Sequence, residues 1–287
     1  MRFIKLHGYG NDYLVFKGED LRDAGELSEF ARRVCDRHFG AGADGIAVVG
    51  SADEAGAADF GVRIFNPDGS EAAMSGNGTR CAAAALAHER VWTRPVLRLS
   101  TRAGVKVYRR LDRDEARGRY RFAAEIGRPR FESGDVPVLT DEPLARVVRH
   151  PLEVAPGETV EVTALEMCNP NCCLFVEGFD SPDWRRLGRL IESHPRFPAR
   201  TNVEFVRVVS AERIEVRIWE RGVGETLSSG TGASAAAVAA CLNGLTSRRV
   251  TVETPGGTLA VEWREADGEV VLTGEAEVVY RGEWLKG

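Results

Sequence analysis

The chain matches itself. VRIFNPDGSEAAMSGNG at 62–78 lies over VRIWERGVGETLSSGTG at 216–232, an offset of 154 residues. From 62 to 86 there are 10 identities in 25 positions. Alanine inflates that count, but Val-Arg-Ile, Glu71/Glu225, Ser75/Ser229 and the glycines after them do not depend on it. At an offset of 153, LSTRAGVKV (99–107) meets VETPGGTLAV (252–261). Weaker matches extend the repeat upstream, GNDYLVF (10–16) with CNPNCCLF (168–175) and DGIAVV (44–49) with TNVEFV (201–206). A 287-residue chain built this way is long enough for two domains and is expected to form two similar ones about a pseudo-two-fold. The expected boundaries are 1–118, with 275–287 returning to the first domain, and 119–274 for the second.

Local patterns fill each half. FIKLHG, YLVF, IAVVG, VRIF, VLRLS and VKVYRR are short, β-rich and bounded by turn residues, so they read as strands. LSEFARRVCDRHF (27–39) has helical spacing behind acidic residues, and CAAAALAHERVW (81–92) is rich in strong helix formers. The second half repeats the set, with helices in DWRRLGRLIESH and SAAAVAACLNG and strands in VEFVRVV, IEVRIW, VTVET and LAVEW. The expected class is α/β (α+β), each domain a mostly antiparallel sheet around a central alanine-rich helix. Small side chains suit a helix enclosed by strands.

Composition removes several functions. Net charge is −5 with both signs intermixed, so no basic stripe marks a nucleic-acid binder. No stretch approaches the ~20 apolar residues of a membrane span, and MRFIKLHGYGND carries no signal-peptide core, so a cytoplasmic location is expected. Six cysteines in a chain this long read as mostly buried, reduced thiols. The five histidines are scattered, and Cys168, Cys172 and Cys173 lack a partner cluster, so no metal is expected. GAGADG (40–45) spells GxGxxG, but it follows a helix and precedes a strand, the reverse of a dinucleotide fingerprint, and is expected to be a turn.

The duplicated junctions MSGNGTRC (74–81) and SSGTGASA (228–235) are different in kind. Helices opening near Gly76–Asn77 and Gly230–Thr231 present unpaired N–H groups and positive dipole ends, which suit a small anion. If the pseudo-two-fold brings both openings together, one carboxylate would fit on the two of them, with Ser75 and Ser229 on opposite faces of the adjoining carbon. A single such junction would be read as an ordinary serine cap; two copies favour a site.

HGYGND (7–12), GAGADG (40–45), FNPDGSEAAMSGNGTRC (65–81), CNPN (168–171), FPARTNVEF (197–205) and WERGVGETLSSGTG (219–232) together resemble diaminopimelate epimerase, of the pyridoxal-phosphate-independent racemase superfamily, over essentially the full chain. The resemblance implies two pseudo-symmetric domains with the active site in their cleft, an amino-acid substrate and no cofactor. In that family two cysteines form a base–acid pair, and their positions fall on Ser75 and Ser229. A histidine of the family falls on Asn171, while Glu220 remains as a partner for Ser229. The implied substrate groups are Asn11, Asn66, Asn169, Asn202, Glu220 and Arg221, with the carboxylate on Gly76, Asn77, Gly230 and Thr231.

A serine hydroxyl is a far weaker acid than a thiol and needs a neighbouring base to act. Three readings follow. The chain is a diaminopimelate epimerase impaired by serine at both cysteine positions, and the further departures at Asn171, Ser228 and Ser234 favour divergence of a lineage. Alternatively it is a related isomerase using a carboxylate such as Glu220, Glu71, Glu225 or Asp12. The third reading is an amino-acid-binding paralogue without turnover. Whether the chain forms a homodimer is open.

Overall fold

The computed structural model describes residues 1–52, 57–180 and 183–285. Two compact units result: Met1–Glu125 with the segment from Thr273 onward, and Ile126–Leu272. The last two residues of the expected 275–287 return lie outside the described residues.

The first unit contains β1 (Arg2–Gly8), β2 (Asn11–Lys17), α1 (Leu27–Cys35), β3 (Ile46–Ser51), β4 (Phe60–Phe65), the two-residue β5 (Glu71–Ala72), α2 (Gly76–His88), β6 (Val96–Thr101), β7 (Gly104–Asp114) and β8 (Arg119–Gly127). The second unit contains β9 (Val147–Ala155), β10 (Glu158–Glu166), β11 (Pro170–Phe175), α3 (Trp184–Glu192), β12 (Asn202–Ser210), β13 (Arg213–Glu220), β14 (Gly224–Thr226), α4 (Gly230–Leu242), β15 (Arg249–Thr254) and β16 (Gly257–Trp263). The last strand, β17 (Val270–Glu283), runs antiparallel to β1. β8 pairs antiparallel with β7, so the first unit extends past the 118/119 boundary expected from the repeat.

Strand pairing recurs between the units, step for step. β1–β2 is antiparallel, β2–β3 parallel, β3–β4 and β4–β5 antiparallel, β4–β6 parallel and β6–β7 antiparallel. The second unit gives β10–β11 antiparallel, β11–β12 parallel, β12–β13 and β13–β14 antiparallel, β13–β15 parallel and β15–β16 antiparallel. α2 packs against β1 to β4, and α4 against β10 to β13 with β15 and β16. With strands on several sides, neither helix has a water-facing stripe: Ala82, Ala83 and Ala84 of α2 and Ala235 and Ala236 of α4 are wholly buried. Alanine lets the backbone sit close to the sheet while keeping the best helix propensity.

The helices are shorter at their C-terminal ends than periodicity suggests. α1 stops at Cys35 because the Asp36 carboxylate accepts from the His38 and Phe39 amides at 2.8 and 2.7 Å, an alternative to the helical ladder. α2 stops at His88, where Arg90 turns to φ 56°. Cys35, Cys81, Cys172 and Cys173 are buried thiols, whereas Cys168 is exposed. GAGADG lies in the loop from α1 to β3, and no described helix is long and apolar enough to cross a membrane.

Candidate active site

Ser75 caps α2 from extended backbone, φ −131° and ψ 123°. Its Oγ accepts from the Gly78 amide at 3.1 Å, and its carbonyl accepts from the Thr79 amide and hydroxyl at 2.9 and 2.7 Å. That leaves the Gly76 and Asn77 N–H groups with no acceptor inside the helix. A β-carbon at Gly76 would meet nothing within 4 Å, so the approach to these amides is open. Ser229 repeats the geometry on α4 at φ −132° and ψ 130°, with Oγ accepting from Gly232 at 3.3 Å and the carbonyl from Ala233 at 2.9 Å. Gly230 and Thr231 hold the corresponding amides.

Around Ser75 the structure brings Asn77 and Asn11 together. Asn77 Nδ2 donates to Asn11 Oδ1 at 3.1 Å, Asn11 Nδ2 donates to Asp44 at 2.9 Å, and Arg80 donates to Asn77 Oδ1. Asn66 is engaged differently: its Nδ2 donates to Ser70 Oγ at 2.9 Å within the 66–70 turn. In the second unit an amide chain links the remaining residues. Asn169 Nδ2 donates to Thr231 Oγ1 at 3.4 Å, Asn171 donates to Asn169, Asn202 donates to Asn171 Oδ1 at 3.3 Å, and the Arg221 amide donates to Asn202 Oδ1 at 2.9 Å. Asn11 and Asn169 each follow a residue in the left-handed region, Gly10 at φ 87° and Cys168 at φ 62°. Left-handed backbone at a non-glycine residue concentrates at functional sites.

The carboxylates divide sharply. Asp12 meets Lys5 and Arg37, each at 2.8 Å; burial alone would raise its pKa, but these partners hold it at about 2. Glu71 is held below its ordinary value by Arg63 at 2.9 Å, and Glu225 is bound in a fork by Arg185 at 2.6 and 2.9 Å. An ion-paired carboxylate is a poor proton acceptor at neutral pH. Glu220 ends β13 next to Arg221, and its charge acts on Glu204.

Glu204 and Tyr13 are the two groups that motif reading misses. Glu204 is completely buried; burial first, then the Glu220 charge, pushes its pKa well above the usual carboxylate range. Cys173 Sγ donates to its Oε2 at 3.6 Å, and its Oε1 has no partner. That oxygen lies 2.9 Å from where a Gly232 β-carbon would stand, with Ser229 Oγ 3.4 Å from the same point. Tyr13 is 5 % exposed and its hydroxyl lies 2.8 Å from Ser75 Oγ. Both sit in β-rich runs where an aromatic or a lone acid looks like core; their only sequence signal is register, two residues along the strand from the motif asparagines Asn11 and Asn202.

A sequence profile of the family described as diaminopimelate epimerase matches residues 3–129 and 163–279. Diaminopimelate epimerase of Pelotomaculum thermopropionicum is 43% identical over 286 residues, covering 99% of each chain. That of Desulfovibrio desulfuricans is 42% identical over 290 residues, covering 99% of this chain and 98% of its own. The chain belongs to the diaminopimelate epimerase family. Its relatives in this family are isomerases, and solved structures extend the likeness at the level of fold. A PhzF-family phenazine biosynthesis protein of Bacillus anthracis superposes with a TM-score of 0.70 at 16% identity, covering 100% of this chain and 99% of that one. A probable proline racemase of Agrobacterium radiobacter also gives 0.70 at 16% identity, covering 99% and 92%. This member of the family has serine as the cap of both alanine helices.

Proposed function

We propose that the chain binds diaminopimelate or a closely similar amino acid and inverts its α-carbon without a cofactor, slowly, with Ser75 and Ser229 as the two proton-transferring groups. The observation carrying this reading is the recurrence of one cap geometry on α2 and α4, each with two outward amides and a serine hydroxyl beside them. The α-carboxylate would take the amides of Gly76, Asn77, Gly230 and Thr231, where oriented N–H groups and the helix dipole favour an anion. Asn11 and Asn169 orient the reacting end, and Asn66 (through its oxygen), Asn202, Glu220 and Arg221 read the distal end. One serine accepts the α-proton while the other supplies a proton to the opposite face, so the centre inverts and no net proton is consumed.

Among the described residues, the bonds at the two hydroxyls are with backbone amides, a phenol and an alcohol. Ser229 Oγ meets the Gly232 amide and, at 3.4 Å, the Thr231 hydroxyl. That is why the expected rate is low. Of the carboxylates of the alternative isomerase, Asp12, Glu71 and Glu225 are paired with cations, so that reading rests on Glu220. The product would feed lysine and peptidoglycan synthesis in the cytoplasm, and the working state would be a monomer or a homodimer.

Solvent deuterium incorporation at the α-carbon of diaminopimelate, followed by NMR, tests this for the chain and for Ser75→Cys/Ser229→Cys. Slow exchange by the chain and an increase of about 10²–10⁴-fold in the double variant are expected, the usual range for a competent acid–base pair. Calorimetric binding without exchange in either protein would leave the non-catalytic binder. Absence of both binding and exchange would remove diaminopimelate as the substrate.

A further inference from the structure

Tyr13 stands where the repeat puts Asn171 in the second unit: both lie on the strand that pairs parallel with its neighbour, one residue before Leu14↔Ile46 and Cys172↔Val203 respectively. The two side chains do different things. Asn171 donates to Asn169 and accepts from Asn202, inside the amide chain. The Tyr13 hydroxyl instead reaches the cap oxygen of its own helix at 2.8 Å. Space for the ring is provided by two glycines, since a β-carbon at Gly45 or Gly78 would come within 2.8 or 2.9 Å of Tyr13 Cε1.

Ser75 Oγ also accepts from the Gly78 amide at 3.1 Å. If the phenol donates as well, both acceptor sites of Ser75 Oγ are filled and its own proton must point elsewhere, on the open side of Gly76. We propose that Tyr13 is a positioning residue for Ser75, donating its phenolic proton to Ser75 Oγ so that Ser75 can give its own proton to the reacting carbon. This rests on the epimerase reading above. In the step, the Ser75 O–H bond breaks as the C–H bond forms on the α-carbanion, and the Tyr13 O–H bond breaks as a new O–H bond forms on Ser75. The negative charge leaves the carbanion and ends on the phenolate. A phenol, with a reference pKa of ~10, holds that charge far better than a serine alkoxide would. Ser229 has an amide and an alcohol in the same places, so the relay belongs to the first unit alone.

Two measurements on the full chain test the proposal. The first is independent of turnover: the thiol of Ser75→Cys is titrated by the pH dependence of iodoacetamide alkylation, read by peptide mass, with and without Tyr13→Phe. A donor to that atom stabilises the thiolate, so Tyr13→Phe should raise the midpoint by about one pH unit. An unchanged midpoint overturns the proposal. The second is deuterium incorporation into diaminopimelate by the unaltered chain and by Tyr13→Phe, both checked for equal melting temperature. The expected result is a kcat about tenfold lower in Tyr13→Phe with KM unchanged. Equal kcat values overturn the relay, as does absence of exchange in the unaltered chain while Ser75→Cys/Ser229→Cys exchanges. If neither exchanges, the substrate assignment fails instead, and the thiol titration alone decides whether Tyr13 donates to position 75.

Discussion

Ser75 and Ser229 leave extended backbone at nearly the same dihedrals, −131°/123° and −132°/130°, and each accepts from the amide three residues on. Beside Ser75 stands a phenol, and β2, the strand that carries it, also carries Asp12, paired with Lys5 of β1 and with Arg37. Behind Ser229 stand neutral amides and a wholly buried carboxyl, Glu204, paired across β11 and β12 with Cys173. The equivalent register in the first unit, Val15↔Ala47, carries no polar atom on its side chains. Duplication has kept the part that depends on backbone, a helix start that can hold an anion. Proton chemistry depends on the side chains that neighbouring strands bring to the cap, and there the two units have separated.

The largest expected break in this comparison comes from Glu204→Gln. Glu204 keeps its proton in the folded chain at pH values where the unfolded chain has lost it. Between the unfolded value, ~4.3, and the raised folded value the native state binds more protons, so stability falls as pH rises. Below the unfolded value the contribution is fully present. Glutamine is neutral throughout, so urea denaturation should show Glu204→Gln losing less stability than the unaltered chain from pH 5 to pH 8. Parallel losses would mean that Glu204 is ionised in the folded protein.

Next in size are the glycines of the two loops. A β-carbon at Gly78 would lie 2.9 Å from Tyr13 Cε1 and 3.0 Å from Ile64 Cδ1, both rigidly packed. At Gly232 the nearest atom, also at 2.9 Å, is the end of the Glu204 side chain. Overpacking against a ring should cost about 2–3 kcal/mol in Gly78→Ala and about 1 kcal/mol in Gly232→Ala. Equal losses in chemical denaturation would show that Glu204 is as fixed as the Tyr13 ring.

The sequence makes the frame legible because the repeat, the alanine runs and the Ser-Gly-x-Gly turns are local patterns with local causes. Asn11 meets Asn77 within the first unit, and Asn169, Asn202 and Arg221 join one amide chain within the second, because each sits at a strand end or helix start whose geometry the motif itself dictates. Asn66 reads as a turn residue as well as a ligand residue, and its amide is bonded within the turn. Glu204 was not legible: TNVEFV gives no sign that the acid faces inward, since that follows from parallel pairing with a strand thirty residues earlier. β8 and β9 are also faint, the one because RYRFAAEI follows a charged hairpin and the other because Pro151 interrupts it. α1 looks longer than it is because apolar spacing continues into Phe39, which the Asp36 turn sends out to 90 % exposure.

The smallest effect concerns the caps themselves. Removing a serine cap costs about 1 kcal/mol through the orphaned helix amide. Ser75→Ala also removes the part-buried 2.8 Å bond between Ser75 and the Tyr13 hydroxyl. Ser229→Ala removes weaker contacts, at 3.3 and 3.4 Å, and leaves Thr231 with its bond from Asn169. Ser75→Ala should therefore be less stable than Ser229→Ala by several tenths of a kcal/mol, with the gap closing when Tyr13→Phe is added to both. Tyr13→Phe supplies the control because it deletes that hydroxyl without altering the helix end. A gap that persists in the Tyr13→Phe background would place the difference in the helix starts and not in the side chains behind them. The two units would then differ in the backbone frame as well as in the side chains around it.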